Sequence, residues 1–161
     1  MTRKDELLAA FDDALSHEWE SIEYAIKDLT DEEAAYQHPA YRDEPPEDGH
    51  PPAGTALWHL VHLQNCYDYY NIGIQSRPNK AEEVWTAGAS TVAEAIANLM
   101  KSRATLRSTV AELTESQLDD KLGSGRTVIE LVRASIRHDA WHAGQIMVAR
   151  RLWRTRLDIN S

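Results

Sequence analysis

The chain has 161 residues, 42% hydrophobic and 27% charged, an ordinary globular composition in a length that allows one domain with a real core. Its formal net charge of −9 argues against nucleic acid as the main partner, because phosphate contacts need a basic footprint. Cys66 is the single cysteine, which excludes an intrachain disulfide and a metal knot built from cysteines.

No run of about 18 apolar residues occurs, so no membrane span is expected. The opening Met1-Thr2-Arg3-Lys4-Asp5-Glu6 turns acidic at once without the apolar core of a signal peptide, and the expected location is the cytoplasm. Charge is unevenly spread: residues 1–60 carry 4 basic and 15 acidic side chains, residues 121–161 carry 8 basic and 3 acidic. Arg150, Arg151, Arg154 and Arg156 are expected to complement the negative end of the last helix rather than to form a basic tail.

The first predicted helix covers 4–29, with a seam of Leu8, Phe11, Leu15, Glu18, Ile22, Ala25 and Leu29. A short helical turn is expected near 31–36. Residues 38–54, with Pro39, Pro45, Pro46, Gly49, Pro51, Pro52 and Gly54, cannot be helix or central strand and form a long loop of the kind that often carries function. The second long helix is expected over 55–75, with Gln64, Asp68 and Asn71 on its wet face. The third, over 91–113, runs Val92, Ile96, Leu99, Arg103, Leu106, Val110, Leu113 in a four-three alternation. A short turn at 115–120 and the break Gly123-Ser124-Gly125 lead into the last helix, over 127–154. The capping-box spelling at Thr30/Glu33, Thr91/Glu94, Thr114/Gln117 and Thr127/Glu130 marks the helix starts. With no sustained two-residue alternation, the expected fold is all-α, a four-helix bundle in a single domain over 1–161.

The last helix places His138 and His142 four apart, one above the other on a stripe with Thr127, Leu131, Ala134, Gln145, Ala149 and Leu152. Two inward imidazoles beside small residues suit one metal ion, or else a pair of core histidines hydrogen-bonded to neighbours. His62 lies opposite the wet face of the second helix and so also points inward. Three buried histidines are hard to satisfy separately, whereas one cation accepts all three. His59, about sixty degrees round that helix, is the rival ligand or a group supporting a ligand. His17, His38 and His50 read as surface or loop residues, with His50 a remote candidate for a closing contact. A second apolar edge on the last helix, Ile129, Ile136, Ala140 and Met147, faces either another helix of the same chain or a second copy. Glu18 and Arg103 break two apolar seams with opposite charges. They either pair with each other or line the pocket, Glu18 steadying a ligand and Arg103 holding an anionic cofactor or substrate.

Thr55-Ala-Leu-Trp-His-Leu-Val-His62-Leu, followed by Tyr69-Tyr70, resembles the second-helix motif of the DinB/YfiT-like metalloenzyme family. His138-Asp-Ala-Trp-His142-Ala-Gly144-Gln145-Ile resembles its fourth-helix motif, and Leu29-Thr30-Asp31-Glu32-Glu33 its link after the first helix. The likeness covers nearly the whole chain, and the loop 38–54 departs from it by its greater length. It implies a DinB-like bundle, often a homodimer, with His62, His138 and His142 holding zinc or nickel. Some similar proteins use low-molecular-weight thiols (mycothiol, bacillithiol or glutathione) in transfer or isomerisation reactions.

Three functions follow. A metal-dependent, thiol-using transferase acting on small molecules is the leading one, because three neutral imidazoles leave the cation its full charge and an open position. A metal-dependent small-molecule hydrolase is the second. His138-Asp139-x-x-His142 imitates the zinc-protease spelling with aspartate for glutamate, and Asp139 would be its general base. A non-catalytic dimeric stress or storage protein with a structural metal is the third, although structural zinc normally has four protein ligands.

Overall fold

The computed structural model describes residues 1–41, 49–82 and 88–159. Its helices are α1 (Arg3–Ser16), α2 (Ile22–Ile26), α3 (Asp31–Ala34), α4 (Ala56–Ser76), α5 (Val92–Glu112) and α6 (Val128–Ile159), with 3₁₀ turns at Pro39–Tyr41 and Ser116–Asp119. Among the described residues there is no strand, only an isolated antiparallel bridge between Lys121 and Thr127. No described helix is long and apolar enough to cross a membrane. α4 packs against α5 and α6, α1 against α5 and α6, and α2 against α6. The expected all-α bundle is present. Phe11, Ile22, Leu60, Leu63, Tyr67, Leu99, Leu106 and Ile146 fill its centre at below 2% exposure.

The threonine caps work as spelled at several starts. Thr127 and Glu130 exchange both bonds of the capping box, Thr127 N–H donating to Glu130 at 2.7 Å and Glu130 N–H to the Thr127 hydroxyl at 3.3 Å. At Thr30 only half the box forms. The Glu33 amide donates to the Thr30 hydroxyl at 3.2 Å, but the Glu33 side chain is buried and turned to α6. Its neighbour Asp31 accepts from the Val92 amide at 2.6 Å, so α3 caps the start of α5.

Three expectations are corrected here. The segment 4–29 is not one helix. α1 stops at Ser16, where the His17 amide closes on the Asp13 carbonyl and the His17 backbone turns extended; Ser21 then caps α2 through a bond from the Tyr24 amide at 3.2 Å. Serine competes well for such a cap and poorly for a helix interior. Glu18 consequently lies exposed in the bend between the two helices, off any seam. The supposed wet face of α4 is only partly wet: Gln64 is buried at 7% exposure, Asp68 and Asn71 are half-buried, and the Asn71 amide oxygen accepts from the Thr109 hydroxyl of α5 at 2.6 Å. The C-terminal arginines answer side chains rather than the helix end. Arg150, 5% exposed, donates to Glu33 at 3.0 Å and to the Ala25 carbonyl at 2.6 Å, while Arg154 shares the same Glu33 oxygen.

The second apolar edge of α6 is largely spoken for within the chain. Ile129 belongs to the core, Ile136 and Met147 pack against it, and Ala140 is exposed.

Candidate metal centre

Thr55 starts α4 by accepting from the Trp58 amide at 3.0 Å while its hydroxyl donates to the Pro52 carbonyl at 2.8 Å. That start sets the phase of the helix, turning His59 and His62 toward α6. The box at Thr127 does the same for α6, and His138 and His142 fall on successive turns facing α4. His62, His138 and His142 each offer one nitrogen, and these atoms lie within 4.8 Å of one another.

The arrangement fits a cation. His142 Nε2 stands 2.9 Å from His138 Nε2, close enough for an N–H···N hydrogen bond between the neutral rings or for both lone pairs to turn onto one cation. Tetrahedral coordination at about 2.0–2.1 Å per bond puts ligand nitrogens roughly 3.3–3.4 Å apart, inside the range the three histidines span. Burial favours the neutral rings that coordination needs. His142 is held down to about 2 by burial and then by the neighbouring imidazoles, and burial lowers His138 too. His142 is fully buried whereas His62 and His138 are half-buried, so the cluster lies at the edge of the core.

Aromatic rings flank two of the three histidines. Trp58 stacks on His62 with centroids 4.8 Å apart and planes 13° apart, and Trp141 lies parallel to His138 at 6.2 Å. The Tyr70 hydroxyl is 3.5 Å from His138 Nδ1, and Cys66 Sγ is 3.4 Å from His62 Nε2. Burial pushes the Cys66 thiol up to about 11, so it stands beside His62 as a neutral thiol. Cys66 and Tyr70 follow His62 at four and eight residues, a helical spacing that could have exposed them as neighbours of the site.

His59 stays outside the converging three. Its Nδ1 lies 2.8 Å from His142 Nδ1, with His59 itself 6% exposed and lowered to about 4 by burial. If His142 ligates through Nε2, its Nδ1–H donates to His59 Nδ1, and that bond fixes both tautomer and ring orientation. His50 is likewise outside the group, in the half-buried end of the loop.

Asp139 and Arg103 are brought together, though not at the histidines. Asp139 is inaccessible. It accepts from the Tyr67 hydroxyl on one oxygen, and Arg103 Nη2 stands 3.5 Å from the other. The same Nη2 donates to the Phe11 carbonyl, and the guanidinium lies 3.8 Å over the Phe11 ring. Burial pushes the Asp139 carboxyl up to about 6, against the pull of Tyr67 and Arg103. Arg103 therefore pairs with Asp139 and not with Glu18, whose bend leaves it in solvent.

Beside the site lies a cavity of about 350 Å³, bounded by Trp58, His59 and Trp141 on one side and by Tyr41, Ala53 and Gly54 on the other. Gly54 takes a φ of +75°, and a Cβ there would meet the Tyr41 ring at 2.7 Å, so a side chain at this turn would be strained and would have to displace Tyr41. The described ends of the loop 38–54 thus wall a cavity, while residues 42–48 lie outside the described residues.

Compared with known proteins, residues 14–146 match the family model described as the DinB superfamily. No curated protein and no solved structure matches the chain.

Proposed function

The chain belongs to the DinB superfamily, and on that premise we propose that it is a divalent-metal-dependent enzyme acting on small molecules, with a low-molecular-weight thiol as co-substrate in an S-transferase type of reaction. The observation that carries this reading is the convergence of His62, His138 and His142 within 4.8 Å, with two of the three open to solvent. Zinc or nickel is the cation that such a ligand set suits. When bound, it would supply a positive charge and a free position that favour the thiolate form of a thiol reaching it.

The protein's own residues hold and shape that position. His59 orients His142, Trp58 and Trp141 fix the planes of His62 and His138, and the 350 Å³ cavity beside them offers room for a substrate body. Asp139 directs both oxygens to Tyr67 and Arg103, away from the histidines, which weighs against its serving as the general base of a hydrolase. A purely structural metal would call for a fourth protein ligand, and the converging group among the described residues has three. A homodimer, implied by the family resemblance, belongs to the same proposal; a single-chain mass by light scattering at micromolar concentration removes it.

Cobalt substitution tests the thiol reading. Titrating the cobalt-loaded protein with mycothiol, bacillithiol and glutathione is expected to raise a thiolate-to-metal charge-transfer band with at least one of them. Silence with all three at full metal occupancy rejects the thiol as co-substrate.

A further inference from the structure

Tyr70 has one edge toward the histidines and another toward a second cavity, of about 270 Å³, walled by Tyr69, Tyr70, Gly73, Leu122 and Leu131. Gly73 is helical, and a Cβ added there would meet only Ala81 Cβ, at 4.0 Å. Neither a positive φ nor crowding demands glycine at this position; its missing side chain leaves space that forms part of the cavity.

Ser124 and Arg126 at the rim also belong to a shallow cleft that gathers Lys121, Arg133 and Arg137. Four cations thus share one concave surface in a chain of net charge −9. The acid among them, Glu130, accepts from the Thr127 amide at 2.7 Å and is bound into the cap of α6. Among the described residues, none of the four cations reaches a carboxylate within ion-pair distance. Arg3, Arg77, Arg103, Arg107 and Arg150 all do. The cleft gathers four cations with no carboxylate at ion-pair distance, only the longer-range attraction of Glu130 on Lys121 and Arg126, and it opens onto an apolar cavity through Ser124 and Arg126.

The geometry points to a binding subsite for a small amphipathic anion, with a carboxylate or phosphate head on Arg126, Arg133 and Arg137 and an aryl or short alkyl body in the cavity against Tyr70. Guanidinium forks suit planar carboxylates and phosphates. An apolar cavity of about 150 Å³ accepts benzene, so 270 Å³ has room for a ring and several methylenes. A body seated there touches the residue whose hydroxyl stands 3.5 Å from His138. The inference does not rest on the proposed metal chemistry.

Isothermal titration of the full chain, metal-stripped and metal-loaded, with 4-phenylbutanoate, phenyl phosphate, acetate and 4-phenylbutanol tests it. At least one aryl anion should bind the stripped protein tenfold or more tighter than either acetate or the neutral alcohol, and the tighter of the two names the head group. Arg126→Met with Arg133→Met should weaken the aryl anions at least tenfold. Gly73→Leu should weaken 4-phenylbutanoate by a similar factor and leave acetate unchanged. If Gly73→Leu does not fold, Leu131→Trp fills the same cavity from the other wall and carries the same expectation. Equal affinity for acetate and 4-phenylbutanoate overturns the proposal, as does binding indifferent to these variants. Failure of both aryl anions to bind at millimolar concentration overturns it too. Binding confined to metal-loaded protein would put the anion on the cation instead, and would reject this subsite while supporting the metal centre.

Discussion

Arg103 Nη2 and Asp139 Oδ2 face each other at 3.5 Å inside the bundle, their side chains 4% and 0% exposed. The pair ties α5 to α6 one residue away from a proposed metal ligand, and the Tyr67 hydroxyl and the Phe11 carbonyl add a hydrogen bond to each partner. Removing one partner leaves an uncompensated charge in the core, which typically costs about 3–5 kcal/mol. Arg103→Met and Asp139→Ala are each expected to lose stability on that scale in denaturant melts, and the double variant to recover much of it. Glu18→Gln, in its exposed bend, should stay within about 0.5 kcal/mol of the parent protein. Additive losses in the double variant would show that the two side chains act separately.

Metal stoichiometry separates ligands from their supports. His62→Ala, His138→Ala and His142→Ala should each abolish stoichiometric zinc or nickel binding. His59→Ala removes only the partner of His142 Nδ1 and should retain one metal per chain, with affinity lowered about 10–100-fold. If His59→Ala empties the site as completely as His142→Ala, His59 is a ligand and His62 must be reassigned.

The metal-free protein should gain stability as pH rises from 5 to 7. Burial holds His59 down to about 4 and His142 to about 2, from an ordinary 6.5. Below 6.5 the unfolded chain takes up protons on both rings that the folded chain does not, so acid favours unfolding. Asp139, pushed up to about 6 from 3.8, acts in the opposite sense, because the folded chain keeps a proton there that the unfolded chain has lost. His59 and His142 against one carboxyl leave a net gain on the order of 2–3 kcal/mol, about 5–10 °C in Tm, and the lowered His138 adds in the same direction. Asp139→Asn removes the opposing group and should steepen the dependence. A Tm that is flat across this range, or one that falls, contradicts the burial of the histidines.

Glu33 offers one oxygen to two arginines of unlike burial, with Arg150 at 6% side-chain exposure and Arg154 at 59%. Glu33→Ala strands the buried Arg150 and should cost about 3–5 kcal/mol. Arg154→Ala removes a solvent-screened partner and should cost no more than about 1 kcal/mol. Urea denaturation of the two variants measures the contrast, and equal losses would mean that Arg150 finds another partner.

The long helices and the three converging histidines were legible in the chain because each depends on local spacing. The threonine caps place α4, α5 and α6 within a residue at their starts, and a separation of four residues puts His138 beside His142 whatever else the bundle does. Other features depend on which helices face one another, and no periodicity carries that. The bend at 17–21 turns on Ser21 preferring a cap to a helix interior. Once the bend forms, Glu18 leaves the seam and Arg103 finds Asp139, a residue thirty-six positions away on α6. Glu33 looked like half of a local capping box, yet its carboxylate crosses to Arg150, 117 positions later.

The three histidines and one wall of each cavity come from different kinds of chain. His62, His138 and His142 stand on two long helices locked by caps and by the Arg103–Asp139 pair, whereas Tyr41, Ala53 and Gly54 on one side and Leu122 and Ser124 on the other come from connecting segments. Connections accept substitution and changes of length far more readily than packed helices. The proposed ligand preference can therefore vary apart from the proposed metal chemistry. Descendants of one such scaffold could reshape the loop-borne part of either cavity while the three histidines are passed on unchanged, and grafting those loops between relatives is the matching route for an engineer.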